Sequence, residues 1–370
     1  MKQLKVITLI IISLSVLLAV GCSGSGSDNS DNNSGNSNNY GDNGSTPPPP
    51  PPDSPGGDNN NTDSLIADSN LEATIREALN KPTDPITEAD LQSLEVLEAQ
   101  QKGITDLGGL EHCTNLRNLN LAGNSISDIG VLAGHPTLFE LNLNNNNISE
   151  IYALEALPDL HILHLADNSV SDISVLASLG NLWVLFLDNN DVSDISALSG
   201  LMQLQQIHLS GNSISDVSAL SGHPVLGQIW LGDNAISDIS PLAGISVGYL
   251  SLYANNISDI SALASISNLQ GLTLSGNNIN DISALSGLNT LSSLWLSYNN
   301  ISDISSLANL TNLRQLVLND NGIIDIFPLI ENGGLAQGDS ITLYPNPLNE
   351  TSISIHVPAL EARGVQILSD

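Results

Sequence analysis

The chemistry-bearing side chains of this sequence recur at one spacing. A carboxylate stands two residues after an isoleucine or valine at Asp106, Asp128, Glu150, Asp172, Asp194, Asp216, Asp238, Asp259, Asp281, Asp303 and Asp325. Such a series can do two things. Each acid can accept backbone N–H groups at the start of a helical turn, here the recurring "DISxL", or neighbouring acids can share a calcium ion through their oxygens. Carboxylates about 5 Å apart repel by roughly 0.8 kcal/mol per neighbour in water. Something must offset that, and capping is the expectation, with calcium as the alternative and no other cofactor implied.

The remaining reactive residue types fall into structural columns. Cys113 occupies the repeat position filled elsewhere by Leu157, Leu179, Leu201 and Leu288, and His135 and His223 share it. A buried apolar thiol is expected there, not a nucleophile. His164 and His208 lie two repeats apart, roughly 10 Å at the spacing of adjacent strands, too far to share a metal. The chain has no HExxH, P-loop, GxSxG or paired zinc-ligand cysteines. Neither an enzyme nor a metal site is expected.

What positions these residues is a repeat of 22 residues. The segment "LRNLNLAGNSISDI" (116–129) aligns with LHILHLADNSVSDI, LWVLFLDNNDVSDI, LQQIHLSGNSISDV, LGQIWLGDNAISDI and LQGLTLSGNNINDI. Its anchors are Asn124, Asn146, Asn168, Asn190, Asn212, Asn234, Asn255, Asn277, Asn299 and Asn321, with one interval of 21 where a residue is missing near Ile245 to Val247. Leu119 and Leu121 alternate with Asn118, Asn120 and Ala122, a period of two, so each repeat makes one very short strand with one face buried. A single coil cannot bury enough apolar surface to offset its ordering entropy. Stacked coils can, by sharing leucines and pairing strands in parallel. Asparagine suits the anchor because it has both an acceptor and a donor for two adjacent coils.

These residues resemble the leucine-rich repeat, LxxLxLxxNxI, in the 22-residue "SDI" form of internalin-like bacterial surface proteins, which is also the repeat of the SDS22-like family. The resemblance implies an α/β solenoid: a leucine-rich repeat horseshoe with a concave parallel sheet, a helical N-terminal cap and a distinct C-terminal cap.

The ends differ from the middle. Ser69 to Asn80 reads as an amphipathic helix with Leu71, Ile75 and Leu79 on one stripe and Ser69…Glu72 as a capping box, and Thr87…Asp90 begins a second turn. Lys102 replaces the anchor Asn in the first coil, and Ala99 a core Leu. At the other end "ITLYPNPL" moves the anchor 25 residues on, to Asn346, and Pro358 to Gly364 suggests a short closing helix. The domains expected are a signal peptide at 1–21, a tether at 22–64, a helical cap at 65–93, repeats at 94–334 and a terminal repeat with cap at 335–370.

Lys2 and Lys5 precede an apolar run from Val6 to Val20, the layout of a signal peptide. Leu18-Ala19-Val20-Gly21-Cys22 resembles a bacterial lipobox, with Ala19 where such boxes usually have Leu. By that resemblance Cys22 carries the lipid, the membrane is met only through it, and Ser23 points to the outer membrane or cell surface. Secretion with cleavage near Cys22 and no lipid is the alternative. The Ser, Asn, Gly, Asp and Pro that follow, including Pro47 to Pro52, bury nothing and form a leash.

Between repeats the exposed strand positions vary. The position between the two strand leucines reads Asn120, Asn142, His164, Phe186, His208, Trp230, Ser251, Thr273, Trp295 and Val317, with Val184, Asp188, Gln206, Gln228, Tyr249 and Tyr253 beside it. Strand-edge positions add Phe139, Trp183 and Tyr298. Aromatics are only 3% of the 370 residues, yet all three tryptophans fall in these segments. Exposed rings on a rigid scaffold make hot spots. His164, Phe186, His208, Trp230, Tyr249, Tyr253 and Trp295 are therefore the expected partner-binding residues. The resemblance implies a protein partner; a glycan is the alternative, and a purely structural envelope role a third. Eight Lys plus Arg against 39 Asp plus Glu give a net charge of −31, with no Lys or Arg from Asn118 to Leu313. That excludes nucleic acid, which needs clustered cations, and favours a basic partner. The sequence carries no mark of oligomeric state.

Overall fold

In the computed structural model, residues 65–368 are described. Cys22, the signal-like run and the leash lie outside them. Among the described residues no helix is long and apolar enough to cross a membrane.

Thirteen three-residue strands form one parallel sheet in chain order. They are β1 (Val96–Glu98), β2 (Asn118–Asn120), β3 (Glu140–Asn142), β4 (Ile162–His164), β5 (Val184–Phe186), β6 (Gln206–His208) and β7 (Gln228–Trp230). The sheet continues through β8 (Tyr249–Ser251), β9 (Gly271–Thr273), β10 (Ser293–Trp295), β11 (Gln315–Val317), β12 (Ser340–Thr342) and β13 (Gln366–Leu368). Register is kept by the repeat: Leu185 pairs with Ile207, Phe186 with His208, and His208 with Trp230. The central leucine or isoleucine of each strand points inward. Leu163, Leu185, Ile207 and Ile229 are all fully buried, and the core is one continuous column from cap to cap. From β1 to β11 each coil returns through a short 3₁₀ turn on the convex side, such as Ser196–Gly200.

The anchor asparagines tie coil to coil. Asn146 Oδ1 accepts from Ile126 N at 3.0 Å, while its Nδ2 donates to Leu121 O and Leu143 O at 3.1 and 3.0 Å. The same pattern recurs at Asn190, Asn255, Asn277 and Asn299, each more than nine-tenths buried. Just before the anchor the chain must turn with positive φ. Asn and Asp tolerate that conformation, and Asn145, Asp167, Asn189 and Asp233 adopt it. Tyr298 adopts it too, at φ 55°. It therefore lies in this turn, not at the strand edge where the sequence alignment put it.

The N-terminal cap holds helices α1 (Ser69–Leu79) and α2 (Glu88–Gln92). Asp68, not Ser69, is the N-cap of α1: its carboxylate accepts from Asn70 N at 2.9 Å and Leu71 N at 3.0 Å. The carboxylate reaches two orphan N–H groups and also Thr105 N, which Ser69 inside the first turn cannot do. Thr87 and Asp90 form a reciprocal capping box on α2.

At the far end α3 (Phe327–Glu331) replaces a 3₁₀ turn, and Ser352–His356 runs into α4 (Val357–Ala362). The chain does not stop at that helix. Gly364 turns at φ 87° and β13 adds a last strand, Ile367 beside Ile341.

Candidate functional site

The acids of the convex side accept N–H groups two residues on. Asp194 Oδ1 accepts from Ser196 N, Asp216 from Ser218 N and Asp238 from Ser240 N, each at 2.8 Å. The following Ile or Val takes the N-cap place in the backbone, so each acid works from one residue before it. For Asp172, Asp194, Asp216, Asp238, Asp259 and Asp281 the bonds from this serine's N–H and hydroxyl hold the carboxyl below its usual range. Asp216 and Asp172 push Asp194 the other way, but by less than the serine bonds lower it. Glu150, one methylene longer, makes no corresponding bond among the described residues. Among the described residues no group of three or more His, Cys, Asp or Glu is placed to hold a metal ion.

Cys113 is fully buried, and burial first, then the Glu111 charge, pushes its thiol up to about 12. His135 reaches back to Leu110 O with Nε2 at 2.8 Å, and His223 to Leu198 O at 3.2 Å. These rings serve the coil stack.

The other sheet face has three zones. On β1 to β3 amides hold carboxylates: Asn120 Nδ2 donates to Glu98 at 2.9 Å and Asn118 Nδ2 to Glu140 at 2.7 Å. Burial raises the pKa of Glu140.

On β4 to β7 the rings of His164, Phe186, His208 and Trp230 form a ladder, half-buried and turned away from the leucines. His164 meets Phe186 edge-on, centroids 4.6 Å apart. Phe186, His208 and Trp230 then stack nearly parallel, each pair at 4.0 Å. Ring spacing follows strand spacing, because identical register puts successive side chains one above another. Asp188 accepts from Ser210 N at 2.9 Å and faces His208 Nδ1 at 3.4 Å; Gln206 Nε2 lies 2.9 Å from His208 Nε2. An amide N–H donating to Nε2 fits an imidazole with its proton on Nδ1, toward Asp188. Burial first, then repulsion from His208 when that ring is protonated, lowers His164 to about 4.

On β8 to β10 the large rings spread apart. Tyr249 leans over Gly271, and Tyr253 fills the space that a side chain at Gly232 would need. Ser251 and Thr273 separate Trp230 from Trp295. Trp295 is half-buried on the same face, and its Nε1 is buried without an acceptor.

A second cluster stands where the chain enters β3 to β5. Phe139 and His161 stack at 4.4 Å, and Trp183 packs edge-on to both at 5.7 and 5.0 Å. His161 did not stand out in the sequence; the signal was there, since positions 139, 161 and 183 fall in one 22-residue column. Gly232 and Gly271 were also missed, because a missing side chain matters only beside the ring that uses its space.

The family described as Leucine Rich repeats (2 copies) matches residues 92–134, 136–178 and 289–331. None of the curated proteins matches the chain. Among solved structures the chain is similar to an internalin, InlF, from Listeria monocytogenes, with 33% identity, 83% of this chain and 90% of that one covered, and a TM-score of 0.78. It shares its fold with a leucine-rich repeat protein of Leptospira interrogans: 20% identity, 72% and 81% covered, TM-score 0.51. The functional domain of Listeria monocytogenes InlJ, which includes a cysteine ladder, shares the fold at 18% identity, 80% and 78% covered, TM-score 0.53.

Proposed function

We propose that this chain, which belongs to the internalin-like family of leucine-rich repeat proteins, is an exported recognition module that binds a protein partner in its concave face and is tethered to the bacterial envelope by lipid on Cys22. The ring ladder His164–Phe186–His208–Trp230 carries the reading. Four half-buried rings in mutual contact across four coils lose little entropy when a partner covers them. Phe186, His208 and Trp230 turn their faces to one another, so their edges meet the partner. Ring edges carry partial positive charge and suit peptide carbonyls. The 39 acids against eight cations favour a basic partner, through encounter rate more than final affinity. The anchor rests on the resemblance of Leu18-Ala19-Val20-Gly21-Cys22 to a lipobox, which supports a position at the outer membrane or cell surface.

Crosslinking capture from the protein's own surroundings, with wild type and Trp230→Ala side by side, tests the reading. The substitution should lose the partner. If every captured protein is retained, the concave site is wrong and a purely structural role gains ground. Metabolic labelling with a fatty-acid analogue, lost on Cys22→Ala, tests the anchor independently.

A further inference from the structure

Trp230 and Trp295 stand three strands apart in one row, about 14 Å along the sheet at about 4.8 Å per strand. Between them lie only Ser251 and Thr273. One side of Trp230 is covered by His208 at 4.0 Å, whereas toward β8 its row neighbour is the small Ser251. Beside this gap the exposed Tyr249 leans over Gly271 of β9, while the exposed Tyr253 leans the other way, over Gly232 in the coil of Trp230. The result is a shallow slot with aromatic sides and a floor of small residues.

Two properties decide what fits it. The slot is uncharged: Tyr249, Ser251, Gly271, Thr273, Ser275 and Trp295 include no carboxylate and no cation, in a chain of net charge −31. Ser293 Oγ, at its edge, donates to Gln315 Oε1 at 3.2 Å, but three hydroxyls of the floor are uncommitted. Thr137, Thr290 and Ser292, outside the slot, donate to backbone carbonyls. The half-buried Ser251, Thr273 and Ser275 make no side-chain hydrogen bond among the described residues. A cationic side chain would find no counter-charge here, and an anion no cation.

We infer that the slot between Trp230 and Trp295 seats a neutral saccharide of about two pyranose rings, one against the open side of Trp230 and the next reaching Trp295, with their hydroxyls on Ser251 and Thr273. An aromatic surface takes the apolar C–H face of a sugar, and hydroxyl groups that both donate and accept match the sugar's own. The site adjoins the ring ladder and shares Trp230 with it, but does not depend on a protein partner being bound there.

The full chain is titrated with neutral oligosaccharides of galactose, mannose and N-acetylglucosamine, by calorimetry and by tryptophan emission, with galacturonate oligomers as the charged control. At least one neutral series should saturate. Trp295→Ala should weaken it about tenfold or more, and Thr273→Lys should do the same by placing a charge on the half-exposed floor. Tyr152→Ala, on the convex side, should leave it unchanged. If Trp295→Ala loses its cooperative melt, Thr273→Lys decides. No saturation by any neutral sugar, equal binding of galacturonate, or affinity untouched by Thr273→Lys would overturn the inference. Partner capture lost on Phe186→Ala with no sugar bound sinks the slot alone; sugar bound with partner capture indifferent to Phe186→Ala sinks the ladder alone.

Discussion

His208 lies face to face with Trp230, ring centroids 4.0 Å apart and planes 27° from parallel, and its other side meets Phe186 at the same distance. It is the rung that joins two larger rings. His208→Ala should therefore remove two ring contacts worth about 0.5–1.5 kcal/mol each, and leave Trp230 tilting into water. A red shift of tryptophan emission, a loss of about 1–3 kcal/mol in urea unfolding and partner affinity lowered about tenfold or more are expected. Unchanged emission would mean that the stack is not populated in solution.

Stability should fall with acid in two separate steps. His164 has its pKa lowered from 6.5 to about 4, so between those values the unfolded chain binds more protons and stability drops as pH falls through that window. Asp172, Asp194, Asp216, Asp238, Asp259 and Asp281 lie below 3.8 in the fold. Their contribution is whole above that value and is lost as pH drops through their folded range. Urea midpoints against pH check this: His164→Phe should flatten the upper step only, and Asp216→Asn with Asp238→Asn should shrink the lower.

The anchor column should be costly to break anywhere along it. Asn190 Nδ2 donates to Leu165 O and Leu187 O at 2.9 and 3.1 Å, and its Oδ1 accepts from Val170 N at 2.9 Å. Asn190→Ala orphans these buried groups at about 1–3 kcal/mol each, and a total of about 3–5 kcal/mol is expected in urea unfolding. Asn190→Asp should do no better, since it keeps the acceptor and loses the donors.

Two glycines should respond differently to the same methyl group. A Cβ at Gly232 meets the Tyr253 ring, which can swing away; a Cβ at Gly334 meets the backbone carbonyl of Thr311, which cannot. Gly334→Ala should lower the unfolding free energy by about 1–3 kcal/mol, and Gly232→Ala by less, while weakening any sugar affinity of the slot. Equal losses would show that Tyr253 is as fixed as backbone.

Much of the architecture was legible because one 22-residue period writes strand, turn and anchor in the same columns. Leu119 and Leu121 gave the buried face, and Asn124 the turn, without reference to any distant residue. What the period does not encode was harder to read. Asp68 caps α1 because its carboxylate also reaches Thr105, a contact 37 residues away. Strand β13 lacks the repeat's leucine pair, and its pairing shows only once Val365 and Ile367 are folded back beside β12. At the candidate site the rows of exposed residues could be read from the alignment. Which rings touch could not: the spread of Tyr249 and Tyr253 depends on the empty side-chain space at Gly271 and Gly232.

The coil between β7 and β8 is one residue shorter than its neighbours, yet Gln228 still pairs with Tyr249 and Trp230 with Ser251. The shortening falls in the return from the Ser240–Leu242 turn to Tyr249, where Ser246 gains a bridge to Ser267. Loop length behind the sheet is thus decoupled from the face in front of it. A residue can be lost behind the sheet without moving any ring out of its row, because strand pairing and not coil length sets the spacing of the exposed positions.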